Sequence, residues 1–231
     1  FQVYLINLKE AGHSIKVQDD RELSMEETAK DLEAVREALG LEKWGFAGHS
    51  TGGMLGLVYG LHHQDSLTKL IIGGAAASYR FMEHEGSMYC PKSPMFEQLT
   101  NIFDLMNSPE ATKEEKRAAR KKWTAMSLYH PEKFDEYYAR PTSGKVVQKR
   151  LNYTSYYDLP AYDISRQLHH ITIPSIIFCG KHDTQCPLVF SEEIHNSLPN
   201  STLYIFENSN HSPFIEEREA FDKMVKEIAG L

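Results

Sequence analysis

The chain has 231 residues, 41% hydrophobic and 25% charged, an ordinary globular composition with room for one large core. Lys and Arg number 25 against 32 Asp and Glu, and the net charge of −7 argues against a nucleic-acid binder, which would present a basic face. No apolar run approaches the roughly 20 residues that a membrane-spanning helix needs.

The stretch FQVYLINL (1–8) is short, apolar and rich in β-formers, and the turn KEAGHS ends it, so a buried strand is expected. SMEETAKDLEAVREALG (24–40) reads as a helix. Ser24 and Glu27 have capping-box spacing, Ala29, Leu32, Val35 and Leu39 share one face, and Gly40 stops it. KWGFAG (43–48) predicts a second strand, residues 51–63 a Gly- and Leu-rich helix, and TKLIIGGA (68–75) a third strand. PSIIFCG (174–180) and STLYIFE (201–207) predict the fourth and fifth. The chain closes on a helix in which Phe221, Met224, Val225 and Ile228 form an apolar stripe. Strands alternating with helices imply a mostly parallel sheet with helices on both faces, an α/β fold.

One interval breaks that rhythm. Residues 79–165 look helical throughout, punctuated by Pro91, Pro109, Pro131, Pro141 and Pro160. They hold nine of the 12 tyrosines as well as Trp123, which makes them a folded insertion rather than a linker. Three segments follow: 1–78 as the first part of a core, 79–165 as the insertion, and 166–231 as the second part of the core. The charged run ATKEEKRAARKKW (111–123) reads as a solvated helix face. Cys90, Cys179 and Cys186 are few, odd in number and scattered, so a reduced, cytoplasmic protein is expected.

Chemistry concentrates at AGHSTGG (47–53), where a predicted strand meets a predicted helix. Gly48-His49-Ser50-Thr51-Gly52 has the spacing of a nucleophile elbow, a bend that exposes the serine hydroxyl while glycines let strand and helix close around it. The Thr51 amide, at the helix N-terminus, is placed to donate to an oxyanion beside Ser50. A phosphate-binding loop would need a lysine that is absent here. A serine also needs a base, and the base an orienting carboxylate. Asp183 follows the fourth predicted strand in CGKHDTQCP, and His211 follows the fifth in ENSNHSPF. Functional groups of parallel sheets collect at such strand ends. Cys179, His182, Asp183 and Cys186 also read as a zinc cluster, but a buried-strand cysteine faces the core and no second ligand pair exists. No metal and no cofactor is expected.

GHSTGG (48–53), DISRQLHHITIPSIIFCGKHDTQCP (163–187) and LPNSTLYIFENSNHSPFIEE (198–217) resemble the α/β-hydrolase superfamily, and within it most closely the proline iminopeptidases. The resemblance runs from Phe1 to about Tyr79 and from about Asp163 to the end. It implies a Ser50–Asp183–His211 triad and makes the insertion a helical cap. It also implies hydrolysis through an acyl-enzyme, with release of an N-terminal residue from small peptides. A carboxylesterase or lactonase activity, or a ligand-binding protein on a hydrolase scaffold, are the alternatives. Tyr79, Phe81, Glu83 and Tyr89 of the cap are candidates to face a small-molecule or short-peptide substrate, and Glu83, Glu85 and Glu97 are available to anchor a substrate ammonium. Two departures stand out. Asn7 to Ser14 keeps only the later part of the family's Asp-x-Arg-Gly-x-Gly-x-Ser turn. The chain also begins where the family has its fourth strand, so roughly 40 to 60 preceding residues are expected, among them the second oxyanion donor.

Overall fold

The computed structural model describes residues 2–140 and 146–230; Phe1, Pro141, the four residues after it and Leu231 lie outside the described residues. Four strands, β1 (Trp44–His49), β2 (Leu67–Gly73), β3 (Ser175–Gly180) and β4 (Ser201–Phe206), form one sheet in the order β1-β2-β3-β4. Nine α-helices are present among the described residues. They are α1 (Met25–Ala38), α2 (Thr51–His63), α3 (Phe96–Asn107), α4 (Lys113–Met126), α5 (Phe134–Tyr137), α6 (Gln148–Tyr153), α7 (Leu188–Ser197), α8 (Pro213–Glu216) and α9 (Arg218–Ala229). The chain divides into two compact units. The first comprises Phe1–Tyr79, Thr142–Ile177 and Glu193–Thr202; the second comprises Arg80–Pro141, Phe178–Glu192 and Leu203–Leu231.

In the first unit, β1 and β2 run parallel from Trp44↔Leu67 to His49↔Gly73, with one irregularity after Trp44, so their carboxyl ends coincide. Helix α2 lies close on this pair because it is cut away on one side. A Cβ at Gly53 would sit 2.8 Å from that of Ala75, one at Gly56 2.6 Å from Ile72 Cδ1, and one at Gly60 2.8 Å from Leu70 Cδ1. Any side chain at these positions would push the helix off the sheet. Tyr59, between them in sequence, is fully buried; its hydroxyl accepts from Trp44 Nε1 at 2.8 Å and donates to Glu33 of α1. That polar link joins α1, α2 and β1 beneath the apolar contacts.

Helix α1 begins as its sequence predicts: the Ser24 hydroxyl accepts from the Glu27 amide at 3.2 Å, and Gly40 ends it with φ +68°. Its buried side is Met25, Thr28, Ala29 and Leu32, whereas Leu39, expected on that face, is exposed. Likewise Met224 of α9 is buried but Val225 of the expected stripe is exposed.

The first expected strand is absent. Residues 2–7 form no ladder, and Val3 and Leu5 are 74% and 91% exposed. An apolar run becomes a strand only where a neighbour takes its backbone hydrogen bonds, and among the described residues none does. Residues 79–165 contain helix and turn, including a π-helical turn at Thr154–Asp158. An antiparallel bridge between Ser78 and Asp163 joins their two ends: the Tyr79 amide donates to the Tyr162 carbonyl and the Ile164 amide to that of Ala77, each at 2.8 Å.

Candidate active site

In the first unit, the bend between β1 and α2 carries Ser50 at φ +58°, ψ −125°. Ser50 and Glu10 are the two non-glycine residues with positive φ among the described residues. Such a conformation costs on the order of 1–3 kcal/mol and persists only where its surroundings enforce it. Here they do. The Ser50 amide donates to the Gly73 carbonyl at 2.8 Å, tying the bend to the end of β2. Its carbonyl accepts the amides of Gly53 and Met54 at 2.8 and 3.1 Å, opening the helix, while its hydroxyl makes no cap hydrogen bond. Thr51 and Gly52 then occupy the first turn of α2, where backbone N–H groups have no intrahelical acceptor.

The two glycines of the motif are unequal. A Cβ at Gly48 would overlap the Gly52 carbonyl, so this position admits glycine alone; a Cβ at Gly52 meets no described atom within 4 Å. The expectation that both permit close packing therefore holds for Gly48, while Gly53, next in sequence, supplies the other close approach.

In the second unit, Asp183 and His211 come together. His211 Nδ1 donates to Asp183 Oδ2 at 2.8 Å, and both side chains are almost wholly buried. Asp183 Oδ1 accepts the amides of Gln185 and Cys186 at 2.8 and 2.9 Å. Both oxygens are thus occupied and the carboxylate is held in one plane. A proton kept on Nδ1 leaves Nε2 as the basic nitrogen of the neutral ring.

Gly180 lets the two loops meet. A Cβ there would overlap the carbonyls of Asn210 and Ser209, so the turn after β3 lies directly against the residues that lead into His211. Asn210 Oδ1 accepts from the Thr184 amide at 2.8 Å, and the His182 amide donates to the Ser209 carbonyl at 3.0 Å. Neither Gly180 nor Asn210 stood out in the sequence, since a glycine ending a strand and an asparagine in a loop are commonplace. Beside the pair, burial pushes the thiols of Cys179 and Cys186 well up, and the Asp183 charge adds to it, so both stay protonated. All three cysteines are buried free thiols.

Of the four residues expected at a substrate, Tyr79 belongs to the first unit and Phe81, Glu83 and Tyr89 to the second. Phe81 is buried, packed edge-on to Tyr89 and Phe190. Glu83 and Glu97 are exposed, and Glu85 pairs with Lys92 at 3.7 Å. Tyr79 is half-buried at the bridged end of the first unit. Tyr89 joins the loop that carries Asp183: its hydroxyl donates to Gln185 Oε1 at 2.7 Å, and Gln185 Nε2 donates to the Ser127 hydroxyl at 2.8 Å. Burial, then the nearby Cys186 and Asp183, push the Tyr89 phenol far up, so it remains a donor.

A serine on a forced strand-to-helix bend, in a chain whose last two strands lead into an Asp and then a His, has the order of functional groups of one large class of enzymes. The chain belongs to that class, the alpha/beta hydrolase fold family, which matches residues 1–218. Among solved structures, an alpha/beta fold family hydrolase from Bacillus anthracis is similar at 49% identity and TM-score 0.92, over 96% of this chain and 80% of its own. An esterase from Exiguobacterium antarcticum shares the fold at 24% identity and TM-score 0.73, over 97% of this chain and 80% of its own. Proline iminopeptidase from Saccharolobus solfataricus is 24% identical over 224 residues, 94% of this chain and 72% of its own. A pimeloyl-[acyl-carrier protein] methyl ester esterase from Vibrio vulnificus is 26% identical over 245 aligned positions, 100% of this chain and 84% of its own. Among the described residues no helix is long and apolar enough to cross a membrane.

Proposed function

We propose that the protein is a serine hydrolase acting through an acyl-enzyme, with Ser50 as nucleophile, His211 as general base and acid, and Asp183 as the carboxylate that orients the imidazole. The observation that carries this reading is the buried Asp183–His211 pair, in which the carboxylate is fully occupied and the ring tautomer is set. The strained bend at Ser50 supports it. As Ser50 Oγ bonds to the substrate carbonyl carbon, its proton passes to His211 Nε2, and the Thr51 amide stabilises the oxyanion. The proton then moves to the leaving amine or alkoxide as the scissile bond breaks. Water repeats the sequence on the acyl-enzyme, releasing the acid and returning the proton to Ser50.

Proline iminopeptidase-like release of an N-terminal residue is the preferred reaction, supported by similarity to the proline iminopeptidase from Saccharolobus solfataricus. Ester hydrolysis is the second, supported by similarity to two esterases. Residues 79–165 would serve as the cap over the substrate, with Tyr89 as the candidate bound to the Asp183 loop. The free buried thiols suit a reducing compartment such as the cytoplasm. Parallel assays of the full natural chain on a prolyl anilide and a short-chain nitrophenyl ester test the reading. Anilide turnover lost in Ser50→Ala is the expected result; ester turnover alone would make it an esterase. Absence of serine-dependent turnover and of serine labelling would overturn it.

A further inference from the structure

Five residues beyond His211, Glu216 ends the short helix α8 and turns its carboxylate back on the loop it has just left. Its two oxygens hold two different stretches of chain within the second unit. Oε1 accepts the amide of Asn210, the residue before His211, at 2.9 Å. Oε2 accepts the amide of Tyr129, in the turn after α4, at 2.6 Å. That turn returns the contact, because the Ser127 carbonyl accepts the His211 amide at 3.2 Å. The N–H groups of Asn210 and His211 are therefore both anchored, one directly on Glu216 and one on a turn that Glu216 itself holds.

We infer that Glu216 is a positioning residue for His211, setting the backbone from which the imidazole reaches both its carboxylate and its substrate. The inference rests on the assignment of His211 as the base. Glu216 suits the task because an ionised carboxylate accepts at both oxygens. A glutamine offers one acceptor and one donor; whichever way it is turned, an N–H group would face the amide of Asn210 or of Tyr129. The neighbouring Glu217 holds the earlier part of the same loop, accepting from the Asn208 amide at 2.9 Å and the Ser209 hydroxyl at 2.6 Å. Burial pushes the Glu216 carboxyl up, but backbone donors, Tyr129 and Asn210 foremost, oppose that shift.

Glu216→Gln, with exposed Glu219→Gln as control, tests the inference in the full natural chain. One readout is labelling by a fluorophosphonate probe, in which a Ser50 Oγ–P bond forms, the P–F bond breaks, fluoride leaves and His211 takes the proton. The other is the set of His211 ring resonances by NMR, which needs no turnover. The expected result is a labelling rate and kcat about 10- to 100-fold lower per folded molecule, with KM within about twofold, and displaced His211 resonances. Glu216→Asp, which keeps both acceptors on a shorter arm, should retain more of the rate and serves if the glutamine variant does not fold. Wild-type labelling with unmoved resonances, or an aspartate variant slower than the glutamine one, would overturn the proposal. Labelling unaffected by His211→Ala would instead overturn the assignment of the base, and the resonances would still decide the role of Glu216.

Discussion

Asp183 gives only one oxygen to His211; the other is taken by the amides of Gln185 and Cys186 at 2.8 and 2.9 Å, so the carboxylate cannot rotate away. Asp183→Asn separates charge from shape. The carboxamide oxygen would keep the two amides, and the NH2 group would face Nδ1, forcing the ring proton onto Nε2 where the base is needed. Turnover should fall by about 10³–10⁴-fold with the fold intact. Asp183→Ala should cost stability as well, because each buried amide left without an acceptor carries a penalty of about 1–3 kcal/mol. Steady-state kinetics beside thermal melts separate the two effects.

Gly48 and Gly52 should respond in opposite ways to alanine. At Gly48 the new methyl would overlap the Gly52 carbonyl, and the bend has no room to yield, so a loss of about 3 kcal/mol or more is expected. At Gly52 the methyl meets open space in the first turn of α2, where alanine is favoured over glycine by about 0.5–1 kcal/mol. Denaturant midpoints of the two variants would show whether the motif's symmetry in sequence hides this asymmetry.

Ser50 itself should be destabilising. At φ +58° and ψ −125° a glycine is comfortable and an alanine is not. Ser50→Gly is therefore expected to be more stable than Ser50→Ala by about 1 kcal/mol, the relief of strain exceeding the entropy that glycine adds to the unfolded chain. Both variants should be inactive. Ser50→Ala the more stable of the two, by the roughly 0.4–1 kcal/mol that glycine adds in unfolded-state entropy, would show that the bend holds no strain.

Asp158, in the π-helical turn, predicts a pH dependence. Burial raises its pKa from 3.8 to about 6, and Oδ2 has no hydrogen-bond partner among the described residues. The unfolded chain gives up this proton near pH 4 while the folded chain keeps it to about pH 6. Between those values the folded state binds more protons, so stability falls as pH rises, and the loss persists above pH 6. Partial exposure limits the effect to about 1–2 kcal/mol. Asp158→Asn should flatten this part of the curve, which melting temperatures from pH 4 to 7 would reveal.

The placement of Ser50, Asp183 and His211 just beyond strands was legible because each follows an apolar β-rich run that could be placed on a sheet without knowledge of its neighbours. The extent of α2 was legible for a related reason, since its Gly- and Leu-rich run starts directly after the Gly48-x-Ser50 bend. FQVYLINL failed where that logic stops, since its pattern describes a strand but cannot supply the strand it pairs with. Leu39 and Val225 lie on apolar stripes that continue past the surface actually covered. Gly180 and Glu216 were invisible for a third reason: their meaning lies in partners far along the chain, and Tyr129 is 87 residues from Glu216.

The bridge between Ser78 and Asp163 brings the two ends of the intervening helical segment within one hydrogen-bonded pair. Where departure and return coincide, the length and sequence in between are unconstrained by the sheet. Such a segment can lengthen, shorten or be exchanged for another while the strands on either side keep their register. If that segment covers the substrate as proposed above, specificity can change at a different rate from catalysis, because Ser50, Asp183 and His211 all lie outside it.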